Sequence, residues 1–150
     1  MEIFANLEAF TAAAGQELGP TDWLEVTQHR VDQFADATDD HQWIHVDPAR
    51  AVDGPFGGTI AHGLLTLSLL PRFMHALYRV DGVAMAINYG FDKVRFISPV
   101  PVGAKVRARS RIDQVTTLGS AVQAKLITTV EIDGVSKPAA VIESIVRYVG

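Results

Sequence analysis

The stretch DDHQWIHVD, from Asp39 to Asp47, places three carboxylates, two imidazoles and an indole within nine residues. Among these side chains, His45 is the one best suited to proton transfer near neutral pH. The Asp40 carboxylate can fix the tautomer of that imidazole or hold the same water molecule. Such a pair suits the addition of water to an activated double bond, or its removal. The other interpretation is a structural loop, in which Asp40 caps backbone donors and His45 packs half-buried.

The spacing of this pair constrains the backbone between the two residues. On a straight helix, side chains five residues apart point about 140° away from each other. Asp40 and His45 can therefore meet only if the chain leaves the helix between them. Asp39 and Asp40 are poor residues for a helix interior, and Pro48 disfavours helix at the residue before it. The sequence predicts a loop that turns Asp40 and His45 toward one water molecule.

A metal site is the rival chemistry for the same stretch. His41 and His45 are four residues apart and would share one face of a helix. Together with Asp40 or Asp47, they resemble a ligand set for zinc or iron. A helix through this segment conflicts with the proline that follows it, and the chain contains no HExxH pattern. We therefore predict no metal.

A second group of residues lies in GGTIAHGLL, from Gly57 to Leu65. The glycines lead into an apolar helix, at whose start unpaired amide N–H groups gather. Gly63 would let a ligand carbonyl approach the backbone closely, and one such donor to a developing oxyanion typically contributes about 3–4 kcal/mol. The alternatives are that Gly63 serves helix packing and that His62 is a partly buried imidazole with satisfied hydrogen bonds.

Composition limits what these residues can belong to. The chain has 150 residues, of which 48% are hydrophobic and 20% are charged, which predicts one globular domain over residues 1–150. It contains no cysteine, so disulfides and thiolate chemistry are excluded. The net charge of −4 argues against nucleic acid as a partner. The longest apolar run is too short for a membrane span, and the N-terminus lacks the basic residues of a secretory signal. We expect a cytoplasmic protein that does not enter membranes.

The spacing of apolar residues predicts the helices and strands that position the candidate residues. Helical spacing predicts a short helix over Ile3–Ala14 and a second helix that Thr27 caps, while DWLEVT alternates like a strand. A long apolar helix follows a cap at Gly58 or Thr59, and Pro71 is expected to kink or divide it. After Asp81 come four β segments, for which we expect sequential antiparallel order. With the early strand they make a sheet of about five strands, and the predicted class is α+β.

Two segments together resemble a known family. DDHQWIHVDPARA followed by GPFGGTIAHGLLTLSLLP is similar to the MaoC-like hot-dog hydratases, the (R)-specific enoyl-CoA hydratases, whose signature is D-x-N-P-I-H-x-D with a later G-x-I-x-H-G. The segment INYGFDKVRFISPVPVG also resembles that family's strand and turn. Gln42 and Trp43 stand where the signature has Asn and Pro, which is most similar to the actinobacterial and nodulation protein N-like branch.

The resemblance implies a hot-dog fold, with an antiparallel sheet wrapped around a long central helix and a homodimer whose active sites lie near the subunit interface. The family's catalytic aspartate and histidine fall on Asp40 and His45, and its oxyanion glycine falls on Gly63. The implied reaction is the reversible hydration of a trans-2-enoyl-CoA to an (R)-3-hydroxyacyl-CoA. Coenzyme A is then part of the substrate, and no other cofactor is expected. Which residue of the pair is base and which is acid stays open.

Two other functions fit the same fold. A hot-dog acyl-CoA thioesterase usually carries a carboxylate on or near the central helix, and the segment Thr59–Leu70 contains no Asp or Glu. A non-catalytic acyl-CoA-binding module would have no need of Asp40 and His45. Both observations favour the hydratase.

A polyanionic coenzyme A on an acidic chain requires local cations. Lys93, Arg95 and the alternating cations from Lys105 to Arg111 are the candidates, although alternation of this kind is also typical of a solvated outer face of a sheet. The acyl chain would lie along apolar side chains at the start of the central helix. We expect these to be Phe56, Leu64 and Leu67.

Overall fold

Two large units of secondary structure organise the computed structural model, which describes residues 1–150. One is an antiparallel sheet, and the other is a series of short helices that packs on one face of it. The elements in chain order are β1 (Glu2–Phe4), α1 (Leu7–Ala12), β2 (Glu17–Leu18), β3 (Leu24–Glu25), α2 (Gln28–Thr38), α3 (Trp43–Val46), α4 (Pro48–Ala51), α5 (Gly63–Ser68), α6 (Leu70–Leu77), β4 (Tyr78–Val80), β5 (Met85–Phe96), β6 (Lys105–Leu118), β7 (Ala121–Ile132) and β8 (Ala140–Val149).

The main sheet has six strands and confirms the α+β class. Its order is β2-β6-β7-β8-β5, and β3 pairs with β6 beside β2. All of these pairings are antiparallel. The expected sequential order of the four long strands is wrong at one place, because β5 pairs with β8 rather than with β6. That choice makes β5 an edge strand of the sheet.

Strict alternation along three strands defines the core face of the sheet. Every second residue of β7, of β8 and of β6 as far as Ile112 is buried, as the period of two in a half-buried strand requires. These side chains meet the apolar faces of α5 and α6 in a cluster of 28 buried residues, to which N-terminal residues such as Phe4 and Phe10 also belong. Burial of apolar surface at about 25 cal/mol per Å² is the main stabilising term for such a core.

The central helix is two helices rather than one. Residues 59–62 are extended, with Ile60 in a β-bridge to Pro101, so helix begins only at Gly63 and not at a cap on Gly58 or Thr59. The first helix ends at Ser68, and after Leu69 the second helix, α6, starts at once with Pro71 in its first turn. Proline fits there because the first-turn N–H groups have no intrahelical acceptor. The prediction that Pro71 would kink or divide the helix is thus consistent with the observed break.

The N-terminal segment differs from its prediction. The helix covers only Leu7–Ala12, because residues 2–4 form β1, which pairs in parallel with β4 at the end of α6. The strand predicted over Asp22–Thr27 is reduced to the two residues of β3. By contrast, α2 begins where expected, since the Thr27 side chain accepts a hydrogen bond from the Arg30 amide. No helix of the structure is both long and apolar enough to cross a membrane.

Candidate active site

The end of α2 determines where Asp40 lies. Asp39 adopts a left-handed backbone with φ of 59°, which ends the helix, and the chain continues without regular structure through Asp40 and His41. A short helical turn, α3, starts at Trp43 and carries His45. The predicted departure from helix between Asp40 and His45 is therefore present. It takes the form of a left-handed helix end followed by a new turn.

His45 is buried and tied to the segment that precedes α5. The residue is only 7% exposed, and its Nδ1 lies 2.6 Å from the Ile60 carbonyl oxygen. A carbonyl oxygen can only accept, so Nδ1 carries the proton and donates it. Nε2 is then left with a lone pair. The same tautomer logic appears in many catalytic histidines, in which one ring nitrogen is anchored so that the other can take up a proton.

His62 lies against this ring and completes a cluster of three side chains. The His45 and His62 rings stack at a centroid distance of 3.8 Å, and the His62 Nε2 donates to the Asp40 carbonyl oxygen over 2.9 Å. One polar atom each from Asp40, His45 and His62 lies within 4.8 Å of the other two. The sequence-predicted pair is thus brought together, with a second imidazole beside it.

The cluster is closed on one side and open on the other. Both imidazoles are buried, whereas the Asp40 side chain is 51% exposed. The site therefore has a buried base-like nitrogen on one side and a solvent-accessible carboxylate on the other. This arrangement suits a reaction in which water enters and is held between them.

The geometry is poor for holding a metal ion. Ring nitrogens bind metals along lone pairs that lie in the ring plane. The planes of His45 and His62 are stacked at 25° to each other, so the lone pairs of the two rings lie in separate, nearly parallel planes and do not converge on one ion. The His62 Nε2 proton is also committed to a carbonyl oxygen. The ligand set considered from sequence is not assembled either, because the His41 Nε2 lies 2.8 Å from Asp36. The hydrogen bond that the His41 ring donates to the Asp36 carboxylate raises the pKa of His41.

Gly63 follows His62 directly and is the first residue of α5. Its amide N–H precedes the first intrahelical hydrogen bond and has no backbone acceptor. A Cβ at this position would lie 3.0 Å from the Phe96 ring, which is tighter than an ordinary contact. Packing alone therefore favours glycine here. The free amide is a second reason, because an amide without a side chain beside it can donate a hydrogen bond to a ligand. The two interpretations of Gly63 are compatible.

The chain is similar in sequence to several known proteins. A family model described as MaoC like domain matches residues 9–134. The chain is 59% identical over 150 residues to the 3-hydroxyacyl-thioester dehydratase Z of Mycobacterium tuberculosis (strain ATCC 25618 / H37Rv), covering 99% of each chain. The chain belongs to the MaoC-like dehydratase family. It is also 48% identical over 131 residues to Nodulation protein N of Rhizobium leguminosarum bv. viciae, covering 83% of this chain and 80% of that protein.

A solved structure of this MaoC-like family supports the fold assignment. The (R)-hydratase from A. caviae involved in PHA biosynthesis superposes with a TM-score of 0.72 and 26% identity, over 89% of this chain and 94% of the other. The hot-dog fold expected from the motifs is confirmed. The similarity to the nodulation protein N-like branch, expected from Gln42 and Trp43, is confirmed as well.

The cations of β6 lie on the outer face of the MaoC-like sheet and are largely paired. Arg107 and Arg109 both contact Glu131, at 2.5 and 3.1 Å, and Arg111 contacts Asp113 at 2.6 Å. Partial burial opposes ionisation of Glu131, yet the two arginines hold its pKa below the ordinary value. The solvated outer face is therefore the better description of Lys105–Arg111 than a phosphate-binding patch.

Several residues that hold the site together were not found from the sequence. Gln28, at the start of α2, donates to the His45 carbonyl oxygen over 2.7 Å and accepts from the Thr59 hydroxyl over 2.7 Å. Its side chain therefore joins α3 to the segment before α5. The backbone joins them again, since the Ile60 amide donates to the Ile44 carbonyl. The contacts span 15 or more residues, so no local pattern could have indicated them.

Proposed function

We propose that this protein is an (R)-specific enoyl-CoA hydratase, which adds water reversibly to a trans-2-enoyl-CoA to give an (R)-3-hydroxyacyl-CoA. The observation that carries the proposal is the convergence of Asp40 and His45 beside the free amide of Gly63. The names of two similar proteins support it, since one is a 3-hydroxyacyl-thioester dehydratase and another an (R)-hydratase. Dehydration of a 3-hydroxyacyl thioester is the reverse of the proposed reaction.

We assign the base in the hydration direction to His45. Its Nδ1–H is given to the Ile60 carbonyl, so Nε2 is the nitrogen that can take a proton from water. The Asp40 carboxylate accepts the second hydrogen of that water and orients its oxygen toward C3 of the substrate. The oxygen forms a bond to C3 while the alkene electrons move toward the thioester. The proton on His45 is then delivered to C2, which balances the addition.

The charge that develops in this step falls on the thioester oxygen. We propose that the Gly63 amide stabilises this charge by donating a hydrogen bond, since a donor at the first residue of a helix has no competing intrahelical acceptor. Every group in this scheme belongs to the chain or to the substrate. The reaction is therefore proposed to need no metal and no cofactor beyond the coenzyme A of the substrate. We expect EDTA to leave the rate unchanged, and loss of activity restored by zinc would contradict this.

A thioesterase is the rival reaction at the same fold. Neither α5 nor α6 contains an Asp or Glu that could act on the thioester carbonyl. Crotonyl-CoA incubated with the protein should lose its enoyl absorbance in the ultraviolet without release of a free thiol, and chiral analysis should find the (R)-3-hydroxy product. Thiol release with the acyl group still unsaturated would establish the thioesterase instead. Binding of crotonyl-CoA without either change would indicate a non-catalytic acyl-CoA-binding module.

The two proposed catalytic residues are tested by substitution. Asp40→Asn keeps the shape of the side chain but removes its charge, and His45→Ala removes the base. Each is expected to lower kcat by about 10² or more, the usual scale for acid–base groups. His41→Ala is the matched control, because its side chain contacts Asp36 at the surface. Near-normal turnover in Asp40→Asn or His45→Ala would remove that residue from the scheme.

We also propose that the protein acts as a homodimer through the edge of β5. This strand pairs only with β8, so its other edge carries unpaired backbone groups, and it exposes large apolar side chains including Ile87, Tyr89 and Phe91. Edge strands with exposed apolar side chains pair readily with a second chain. A two-fold copy would continue the sheet and cover this face. Light scattering should give twice the chain mass of 16.3 kDa, and Tyr89→Pro should give the monomer.

The coenzyme A moiety is proposed to bind near the end of β5. Lys93 and Arg95 are exposed there, with no carboxylate within ion-pair distance, unlike the paired arginines of β6. Phe96, the next residue, packs against Gly63. We also propose that the reaction takes place in the cytoplasm. Arg95→Ala should raise KM for crotonyl-CoA, whereas Arg109→Ala should not.

A further inference from the structure

His62 is a buried titratable residue to which the proposed reaction gives no role. It is 3% exposed, and its ring lies 3.8 Å from the His45 ring and 4.9 Å from the Phe34 ring, measured between centroids. A purely structural histidine in a core normally has both ring nitrogens paired. Here the Nδ1 atom is buried without a hydrogen-bond partner. That unpaired atom requires an explanation.

The explanation lies in the tautomer. His62 Nε2 donates to the Asp40 carbonyl oxygen, which can only accept, so the proton resides on Nε2 and Nδ1 is a bare acceptor. Moving the proton to Nδ1 would cost the hydrogen bond to Asp40. The His62 ring is therefore held in the orientation that keeps the hydrogen bond to Asp40, although its buried Nδ1 then has no partner.

Asp40 depends on this contact more than its neighbours do. It lies in the irregular segment after the left-handed Asp39, and its side chain is 51% exposed. The hydrogen bond from His62 is the one side-chain hydrogen bond that reaches Asp40. His45, in contrast, is held independently through Ile60 and through Gln28. Loss of the His62 donor should therefore disturb the carboxylate more than the base.

We propose that His62 is a positioning residue of the site, which sets the place of the Asp40 carboxylate through its backbone carbonyl and supports the His45 ring by stacking. The inference rests on the proposed hydratase function, because its effect is read in turnover. His62 touches neither water nor substrate in this scheme. It acts through the two residues that do.

Two substitutions separate the hydrogen bond of His62 to Asp40 from its stacking on His45. His62→Phe keeps a ring that can stack on His45 but removes the donor to Asp40, and His62→Gln keeps an N–H donor but removes the ring. We expect His62→Phe to lower kcat about 10- to 100-fold with KM within about 3-fold, as expected for a misplaced catalytic group. His62→Gln should turn over several-fold faster than His62→Phe. His29, exposed on α2, supplies the controls His29→Phe and His29→Gln, both expected to match the wild-type rate.

A double-mutant cycle shows whether the effect passes through Asp40. If it does, adding His62→Phe to Asp40→Asn should cost less than about 3-fold more in kcat, because the carboxylate that it positions is already neutralised. Full multiplication of the two single effects would overturn the proposal, as would His62→Phe at the wild-type rate or at a rate equal to that of His62→Gln. An inactive wild-type protein would instead refute the hydratase function itself.

A measurement independent of activity tests the same geometry. Imidazole ¹⁵N NMR of the full chain should show the proton on Nε2 for His62 and on Nδ1 for His45, opposite tautomers in two stacked rings. Thermal unfolding of each variant, followed by circular dichroism, confirms that the rates refer to folded protein. A His62 with its proton on Nδ1 would overturn the proposal whatever the kinetics show.

Discussion

Gln28 offers the sharpest test of how the fold holds the site. Its amide group donates to the His45 carbonyl at 2.7 Å and to Asp32 at 2.8 Å, and its carbonyl accepts from Thr59 at 2.7 Å. Gln28→Met keeps most of the side-chain volume but removes all three hydrogen bonds. The Thr59 hydroxyl, in a residue 8% exposed, would then have no acceptor.

The expected cost follows from these contacts. An unpaired buried hydroxyl costs about 1–3 kcal/mol, and the lost bond to the His45 carbonyl adds roughly 1 kcal/mol. The contact with Asp32 joins residues four apart on α2, and such a pair contributes only about 0.2–0.5 kcal/mol. We therefore expect the free energy of unfolding to fall by about 2–4 kcal/mol. At a urea m-value of about 2 kcal/mol per M, the midpoint should move down by roughly 1–2 M.

The assay is urea unfolding at fixed protein concentration, together with kcat for crotonyl-CoA hydration. Thr59→Val in the Gln28→Met background should recover about 1 kcal/mol or more, because removing both partners of a buried hydrogen bond is nearly neutral. We expect kcat of Gln28→Met to fall about 10-fold as α3 loses its tie to α2. An unchanged urea midpoint, or no recovery in the double variant, would refute the reasoning.

Gly63→Ala should fold, because the half-exposed Phe96 can move away from a Cβ at 3.0 Å, yet kcat/KM should fall at least about 10-fold as the methyl blocks the amide. Recovery of the rate on adding Phe96→Leu would show that packing alone was disturbed. Tyr148→Phe should cost about 1–3 kcal/mol in chemical unfolding, since it leaves the buried Tyr78 hydroxyl without its partner, and Tyr78→Phe in addition should restore most of it; a further loss would contradict this. Glu131→Gln should lower stability by about 0.5–1 kcal/mol near pH 6. The pKa of Glu131 is lowered in the folded state, so the stability difference between the wild type and Glu131→Gln should have its full size above pH 4.5, the ordinary pKa of a glutamate. The difference should disappear as the pH falls through the lowered pKa. A difference that stays constant into acid would contradict this.

The sequence by itself indicated the candidate site residues and determined most of the local elements. The alternation of β6, β7 and β8 specified which face of each strand is buried, because the strand period of two leaves no other assignment once one face is apolar. Thr27 specified the start of α2 through its own side chain. The run of two aspartates predicted the end of that helix, which Asp39 provides. All of these are interactions between residues close in sequence.

The tertiary structure decided what joins those elements. The pairing of β5 with β8 joins residues that are between 44 (Phe96 and Ala140) and 64 (Met85 and Val149) positions apart, and no local pattern distinguishes it from pairing with β6. The extended residues before Gly63 follow from the bridge of Ile60 to Pro101, which overrides helical periodicity. The stacking of His62 on His45 likewise needs both segments in place. Such contacts require the closing of long loops, which has a cost in chain entropy that local sequence does not encode. The tautomers of the two imidazoles depend on these contacts and are therefore properties of the fold.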